Sequence, residues 1–323
     1  MQLTMTKEEF LSNLKNKSLF LKRLTEYLQE RHLTCITAKG DADCLIVETA
    51  IERSTSGKTV LVGDDTDLLI LLLHHAKPNG HNLFLCNQGK RGLSGKLWNI
   101  QAIQEHLGVQ TCRHLLFVHA ILGCDTTSRL HGIGKSVALK KVISNNTDFI
   151  QAANVFIGKS SSKKEIEDAG EKALLILYGG EKSASLNVHR WDTFQKKVAS
   201  ASKFVQPQDL PPTSEAAKYH IYRVFLQIQQ WLGSKLDPTD WGWVLRDDKL
   251  YPITTNFPPA PQSILKGVKC SCTGTCSSAR CSCRKNGIEC STACKNCKGH
   301  SCFNSSSYDV NLDDECNTEE YIS

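Results

Sequence analysis

Three aspartates within four residues, Asp64, Asp65 and Asp67, stand in the stretch GDDTDLLILLL (63–73), directly before an unbroken apolar run. Crowded carboxylates repel one another and resist leaving water, so such a cluster calls for a cation. A second pair, Asp41 and Asp43, lies in KGDADCLIV, and a fifth acid, Asp125, in GCDTTSRLHGIGK. Hard divalent ions such as Mg²⁺ or Mn²⁺ take oxygen ligands and keep several waters, which suits a loose ring of aspartates. Two such ions about 3.5–4 Å apart can activate a water and steady the leaving oxygen in phosphodiester hydrolysis. Any one aspartate reads more simply as a turn residue or a helix cap; five together favour metal. Gly132 and Gly134, followed by Lys135, let backbone N–H groups turn toward one anion at the start of a helix, as in turns that hold a nucleic-acid phosphate.

The cysteines carry a second chemistry. Of the 15 in the chain, nine fall within 33 residues: Cys270, Cys272, Cys276, Cys281, Cys283, Cys290, Cys294, Cys297 and Cys302. C-x-C and C-x-x-C steps this dense read as zinc ligands; a secreted disulfide knot is the alternative. Four ligands per tetrahedral ion let nine thiolates serve about three zinc ions if three sulfurs bridge. His300 is a further candidate ligand. Cys35, Cys44, Cys86, Cys112 and Cys124 lie among apolar neighbours and read as reduced core residues.

The net charge of +6 is mild, but its distribution is not even. Between Lys266 and Cys302 seven Lys or Arg face one acid, Glu289, so Lys269, Arg280, Arg284, Lys285, Lys295 and Lys298 surround the cysteines. These cations point to phosphates. The expected partner is nucleic acid, most of all DNA, and the expected compartment the nucleus. The residues after Asn304 are acidic and poor in apolar groups, and are expected to be disordered. No apolar run approaches the ~20 residues that span a bilayer, so no membrane partner is expected.

The elements that must position these residues follow from periodicity. Thr6 and Glu9 suggest a capping box, with helical spacing to about Glu30. LTCIT (33–37), KTVLVG (58–63) and NLFLC (82–86) read as strands, and residues 68–73 as a strand buried on both faces. Residues 41–54, 98–108 and 113–123 read as helices. Alternation of this kind predicts an α/β fold with a parallel sheet covered on both faces, which gathers Asp41, Asp43, Asp65 and Asp67 at its carboxyl edge. Past Gly134 the periodicity is helical, with Tyr219, Tyr222, Phe225, Ile228, Trp231 and Leu232 on one stripe. Prolines then predict an extended linker that docks through Trp241 and Trp243. The expected organisation is a domain over 1–145, a helical extension over 146–235, a linker over 236–265, a cysteine module over 266–303 and a tail over 304–323.

GDADCLIV, GDDTDLLILL and LGCDTTSRLHGIGKSVAL resemble, in order and approximate spacing, the acidic and Gly-x-Gly motifs of flap-endonuclease and PIN-like 5′-nucleases. The chain also looks like a group of uncharacterised animal proteins, read as transposon-derived, that carry such a domain ahead of a cysteine-rich module. The likeness covers roughly residues 15 to 145. It implies a PIN-like fold and metal-dependent nuclease activity, with Asp41, Asp43, Asp65, Asp67 and Asp125 as metal-binding acids and Gly132, Gly134 and Lys135 as the phosphate-holding turn. Such families open with a central strand ending in a metal-ligand aspartate, and nothing before Cys35 resembles it; an inert nucleic-acid-binding scaffold is therefore the alternative. The cysteine segment closely resembles the tesmin-type CXC domain, whose members bind DNA. It departs by one C-x-C pair near its end and by Ala279-Arg280 where such repeats place an aromatic.

Overall fold

The computed structural model describes residues 6–38, 40–77, 82–87, 95–200, 207–256, 269–290, 294–300 and 302–305. The expected linker beyond Asn256 and the acidic tail beyond Ser305 lie outside these residues. The fold is mixed α/β and mostly helical, with a small three-stranded sheet and a cysteine cluster toward the C-terminus. Two compact units divide at 106/107. Among the described residues no helix is long and apolar enough to cross a membrane.

The first unit opens with α1 (Lys7–Ser12). Its capping box closes as expected: Glu9 N–H donates to Thr6 Oγ1 at 3.2 Å and Thr6 N–H to Glu9 Oε2 at 2.7 Å. Asn13 then breaks the expected continuous helix, its Oδ1 accepting from the N–H groups of Lys15 and Asn16 to start α2 (Leu14–Gln29). The strand expected over 33–37 is not formed; the segment pairs with no strand among the described residues. A short β-branched run has propensity for a strand but becomes one only when a neighbour completes its ladder.

After α3 (Asp43–Ser54) come β1 (Thr59–Val62), α4 (Thr66–His75), β2 (Leu83–Cys86), β3 (Leu97–Asn99) and α5 (Ile100–Leu107). Residues 68–73, expected as a doubly buried strand, are the body of α4. A continuous apolar run is ambiguous by periodicity, and two features decide it for helix. Leucine loses little rotamer freedom in a helix, and only Ile70 of the run is β-branched. Leu68, Leu71 and Leu72 also recur at helical spacing and are buried. The far end of α4 is sealed by Gln104, whose Nε2 donates to Leu73 O at 3.0 Å and Ala76 O at 2.9 Å.

β1 and β2 pair in parallel, but β3 runs antiparallel to β2. The β2–β3 connection is shorter than the dozen or so residues a parallel crossover needs, so the chain returns beside itself. Among the described residues the sheet is covered on one face, not two. Leu61, Leu83 and Leu85 are buried, whereas Val60 and Val62 remain 44% and 58% exposed.

The second unit is built around α6 (Val109–Leu122) and α11 (Ser214–Trp231). Every residue of α6 from His114 to Leu122 is buried, so this part of the helix is mostly apolar all round because it is enclosed all round. Packed in the same unit are α7 (Lys135–Ile143), α8 (Thr147–Ile157), α9 (Lys163–Leu177) and α10 (Leu186–Ser200). Phe117 meets Phe149 and Phe156 at ring-centroid distances of 5.4 and 4.8 Å. Gly170 lets α9 and α11 close together: a Cβ there would sit 2.6 Å from Ile221. The aromatic stripe of α11 is core as expected, with Tyr222, Phe225, Ile228 and Trp231 buried and Tyr219 and Leu232 half-buried.

Within the expected linker, Trp243–Arg246 and Lys249–Pro252 form the hairpin β4–β5. Trp241 lies 4.5 Å from the Phe225 ring, and the buried Arg223 donates from Nη1 to Gly242 O at 3.2 Å and Ile253 O at 2.7 Å. The docking expected through the tryptophans is thus reinforced by a guanidinium that supplies donors to otherwise unpaired carbonyls.

His220 ties α11 to the end of α6, its Nε2 lying 3.0 Å from Ile121 O. Desolvation pushes its pKa down to about 4; the bond to Ile121 opposes this and the Arg223 charge adds to it. The folded chain therefore holds His220 neutral while the unfolded chain takes up a proton near pH 6.5. The stability contributed is whole above pH 6.5 and is lost as pH falls toward 4, on the order of 3 kcal/mol. Urea unfolding across that window should show the loss, and His220→Gln, which retains a donor for Ile121, should flatten it.

Candidate metal centre

Nine cysteines meet in a segment with almost no apolar side chains of its own. Among its described residues the only regular element is the one-turn helix α12 (Ser282–Lys285), with Cys281 as its N-cap. The path is fixed by backbone contacts between distant cysteines: Lys295 N–H donates to Cys270 O at 3.0 Å, Cys290 N–H to Asn304 O at 2.6 Å and Phe303 N–H to Thr275 O at 2.9 Å. Asn296 Nδ2 clamps the first C-x-C step, donating to Ser271 O at 3.0 Å and Cys272 O at 3.1 Å. Left-handed backbone at Cys276 and Lys298, φ +57° and +49°, turns the chain sharply enough to bring the sulfurs inward.

The result is three overlapping groups of four buried thiols: Cys270, Cys283, Cys290 and Cys294; Cys270, Cys276, Cys281 and Cys290; and Cys276, Cys290, Cys297 and Cys302. Within each, all sulfurs lie within 4.8 Å of one another. Cys290 belongs to all three, and Cys270 and Cys276 to two each. Closest sulfur separations are 3.9 Å for Cys270–Cys276 and Cys270–Cys290, 3.8 Å for Cys281–Cys290 and 3.4 Å for Cys283–Cys294. A zinc–sulfur bond of about 2.3 Å places tetrahedral ligands about 3.8 Å apart, so the spacing fits sulfurs sharing zinc ions. All nine are free thiols. Cys272 is half-buried against the cluster but belongs to none of the three groups, and the exposed His300 belongs to none either.

Without metal this crowding is unfavourable. Burial pushes the Cys276 thiol up to about 12 and, with Cys294 beside it, Cys283 up to about 11, and it raises Cys270 and Cys290. Burial also opposes ionisation of Cys281, but N–H groups of Arg284 and Cys283 and the thiols of Cys270 and Cys290 outweigh it and leave Cys281 near 7. A bound cation removes the conflict by deprotonating the sulfurs. Lys269, Arg280, Arg284, Lys285, Lys295 and Lys298 are all exposed around this core. Cation charge on a compact, metal-sized scaffold is suited to anionic partners.

The aspartates are arranged differently. Both Asp-x-Asp steps use the same local device: Asp41 Oδ1 accepts from Asp43 N–H at 3.3 Å, and Asp65 Oδ1 from Asp67 N–H at 3.0 Å. Asp65 is the N-cap of α4, whereas Asp41 stands one residue before Ala42, the N-cap of α3; the second acid of each pair sits in the helix's first turn, Asp43 half-buried and Asp67 buried. α3 packs on β1 and α4, and a short turn joins α3 to β1. The start of α3 therefore lies at the same end as the carboxyl edge of β1, where α4 begins. The starts of α3 and α4 thus share one end of the unit, while among the described residues the strand expected before Asp41 is not formed. Their combined field is felt at Cys44, where burial first, then Asp41, Glu48 and Asp43, push the thiol up to about 11. Among the described residues no three carboxylates or imidazoles converge as the thiols do.

Asp125 belongs to the second unit, exposed on a turn after α6 that is pinned by the buried Thr127, whose Oγ1 donates to Ala120 O at 2.7 Å. Gly132, at φ +74°, and Gly134 lead into α7, which begins at Lys135 with no side-chain cap. Of the remaining cysteines, Cys112 is buried and Cys35, Cys44, Cys86 and Cys124 are half-buried. The spacing of the cysteines gave no sign of Asn296 or Asn304, which act through folded backbone. Compared with family models, curated proteins and solved structures, the chain matches none.

The capping role of Asp65 separates shape from charge. Asp65→Ala should cost about 1 kcal/mol in urea unfolding, while Asp65→Asn, which still accepts the Asp67 N–H, should cost only a few tenths.

Proposed function

We propose that this chain is a nucleic-acid-binding protein whose C-terminal segment is folded by a cluster of about three zinc ions. The observation that carries this reading is the set of overlapping four-thiol groups ringed by exposed Lys and Arg. In it, Cys270, Cys276 and Cys290 bridge ions, and the other groups' cysteines bind one each. Cys272 supplies the ninth thiolate, so that Cys290 bridges two ions and not three. Zinc provides the folding energy that the few apolar residues cannot. The surrounding cations displace counterions from the phosphate backbone, and the likeness to tesmin-type CXC domains favours DNA and a nuclear setting.

Elemental analysis of the reduced, purified chain should give close to three zinc per molecule, and DNA affinity should fall steeply with salt. Replacing Arg284 and Lys285 by Ala should weaken binding to all sequences alike and make the salt slope about two shallower. One zinc or none, or binding indifferent to salt, would reject the reading.

A second reading adds PIN-like, Mg²⁺- or Mn²⁺-dependent phosphodiester hydrolysis. The gathering of Asp41, Asp43, Asp65 and Asp67 at one edge of the first unit favours it; Asp125, Gly132, Gly134 and Lys135 enter through the motif likeness alone. Here Mg²⁺ should raise the melting temperature of the wild-type chain, and Asp67→Asn should lose that shift and any cutting while staying folded. Cutting that persists in excess chelator, or unfolding of Asp67→Asn with or without Mg²⁺, would leave the binding protein without the nuclease.

A further inference from the structure

We propose that Asn304 is a positioning residue for the metal cluster, holding the shared sulfur of Cys290 in place and drawing off part of its negative charge. The inference rests on the zinc reading above and goes beyond it by giving a role to a residue that is not a ligand. Asn304 reaches the Ile288–Cys290 stretch at three points. Its Nδ2 donates to Ile288 O at 2.9 Å and to Cys290 Sγ at 3.4 Å, and its own carbonyl accepts from Cys290 N–H at 2.6 Å. The side-chain amide carries two hydrogens, and these two bonds use both. One fixes the backbone before Cys290, and the other is aimed at the sulfur itself.

Cys290 is where such a contact matters most, because it alone belongs to all three thiol groups. A sulfur shared between cations must keep its lone pairs directed at more than one ion, so a small rotation about its Cα–Cβ bond would weaken two sites at once. Nearby thiolates also crowd it with like charge, which an N–H donor relieves. Asn304 is itself held: Ser305 N–H and Oγ donate to Cys302 O at 3.2 and 2.8 Å, and Phe303 N–H ties the turn to Thr275. The last cysteine of the cluster and the donor to its central one are thus parts of one rigid turn. Asn296 provides the comparison, since among the described residues its amide meets the carbonyls of Ser271 and Cys272.

The test uses the full chain loaded with zinc or, for its spectrum, with Co²⁺. Asn304→Leu should release zinc to a competing chelator about tenfold faster or more, and should shift the sulfur-to-cobalt charge-transfer bands. Asn304→Gln, which retains the amide, should return both toward wild type, and Asn296→Leu, which removes a donor to carbonyls and not to a sulfur, should shift the bands less than Asn304→Leu does. If Asn304→Leu takes up no metal, Asn304→Gln decides, near-wild-type bands and release supporting the assignment and loss of uptake overturning it. Wild-type bands and release in Asn304→Leu, or an equal band shift in Asn296→Leu, would overturn it while the zinc reading stands. A wild-type chain that takes up neither zinc nor cobalt would fell the zinc reading itself.

Discussion

Thiols packed 3.4–3.9 Å apart at the centre of a segment that has few apolar side chains impose the strictest condition in this molecule. Chain entropy of about 1–2 kcal/mol per ordered residue opposes such a segment, and burial of Ile288 and a few small groups does not offset it. Thiol burial adds its own cost by raising the pKa of Cys270, Cys276, Cys283 and Cys290. A metal that takes soft ligands would resolve both difficulties together, replacing protons that crowding disfavours and tying distant parts of the chain. The exposed basic surface follows from the same condition: with the interior given over to sulfur, the charged side chains have only the outside.

The helical unit is organised on ordinary packing. α6 is enclosed by α7, α8 and α11, and its mostly apolar character all round records that position. Polar side chains inside it act as ties between elements. Gln229 Nε2 donates to Phe156 O and Gly158 O at 2.9 and 3.1 Å, His220 meets Ile121 O, and Arg223 holds the β4–β5 hairpin. Each satisfies carbonyls at a helix end or loop that would otherwise be buried without a donor.

In the first unit Asp41, Asp43, Asp65 and Asp67 serve local structure. Local bonding accounts for Asp65, the N-cap of α4, and for Asp41, which accepts from the first N–H of α3. It does not account for Asp43 and Asp67, which the caps leave in the first turns of neighbouring helices, where the helix dipole favours negative charge. Topology brings these two helix starts together; the capping bonds do not.

Much of this was legible in the residues. The cysteine spacing alone defined a dense thiol cluster, the basic flank was countable, and the capping box at Thr6, the strands at 59–62 and 83–86 and the buried stripe of α11 followed from local rules. The failures share a cause. Residues 68–73 are apolar throughout, so no periodicity tells helix from strand until Asp65 caps the segment and one face meets α3. Residues 33–37 have strand propensity but no partner, and β3 is antiparallel because of a connection length, not because of its own three residues. Likewise, composition counted nine sulfurs but not which of them are shared. That Cys290 is common to three groups, that Cys272 stands aside and that Asn304 reaches Cys290 are decided by backbone contacts between residues far apart in the chain, which a local pattern does not record.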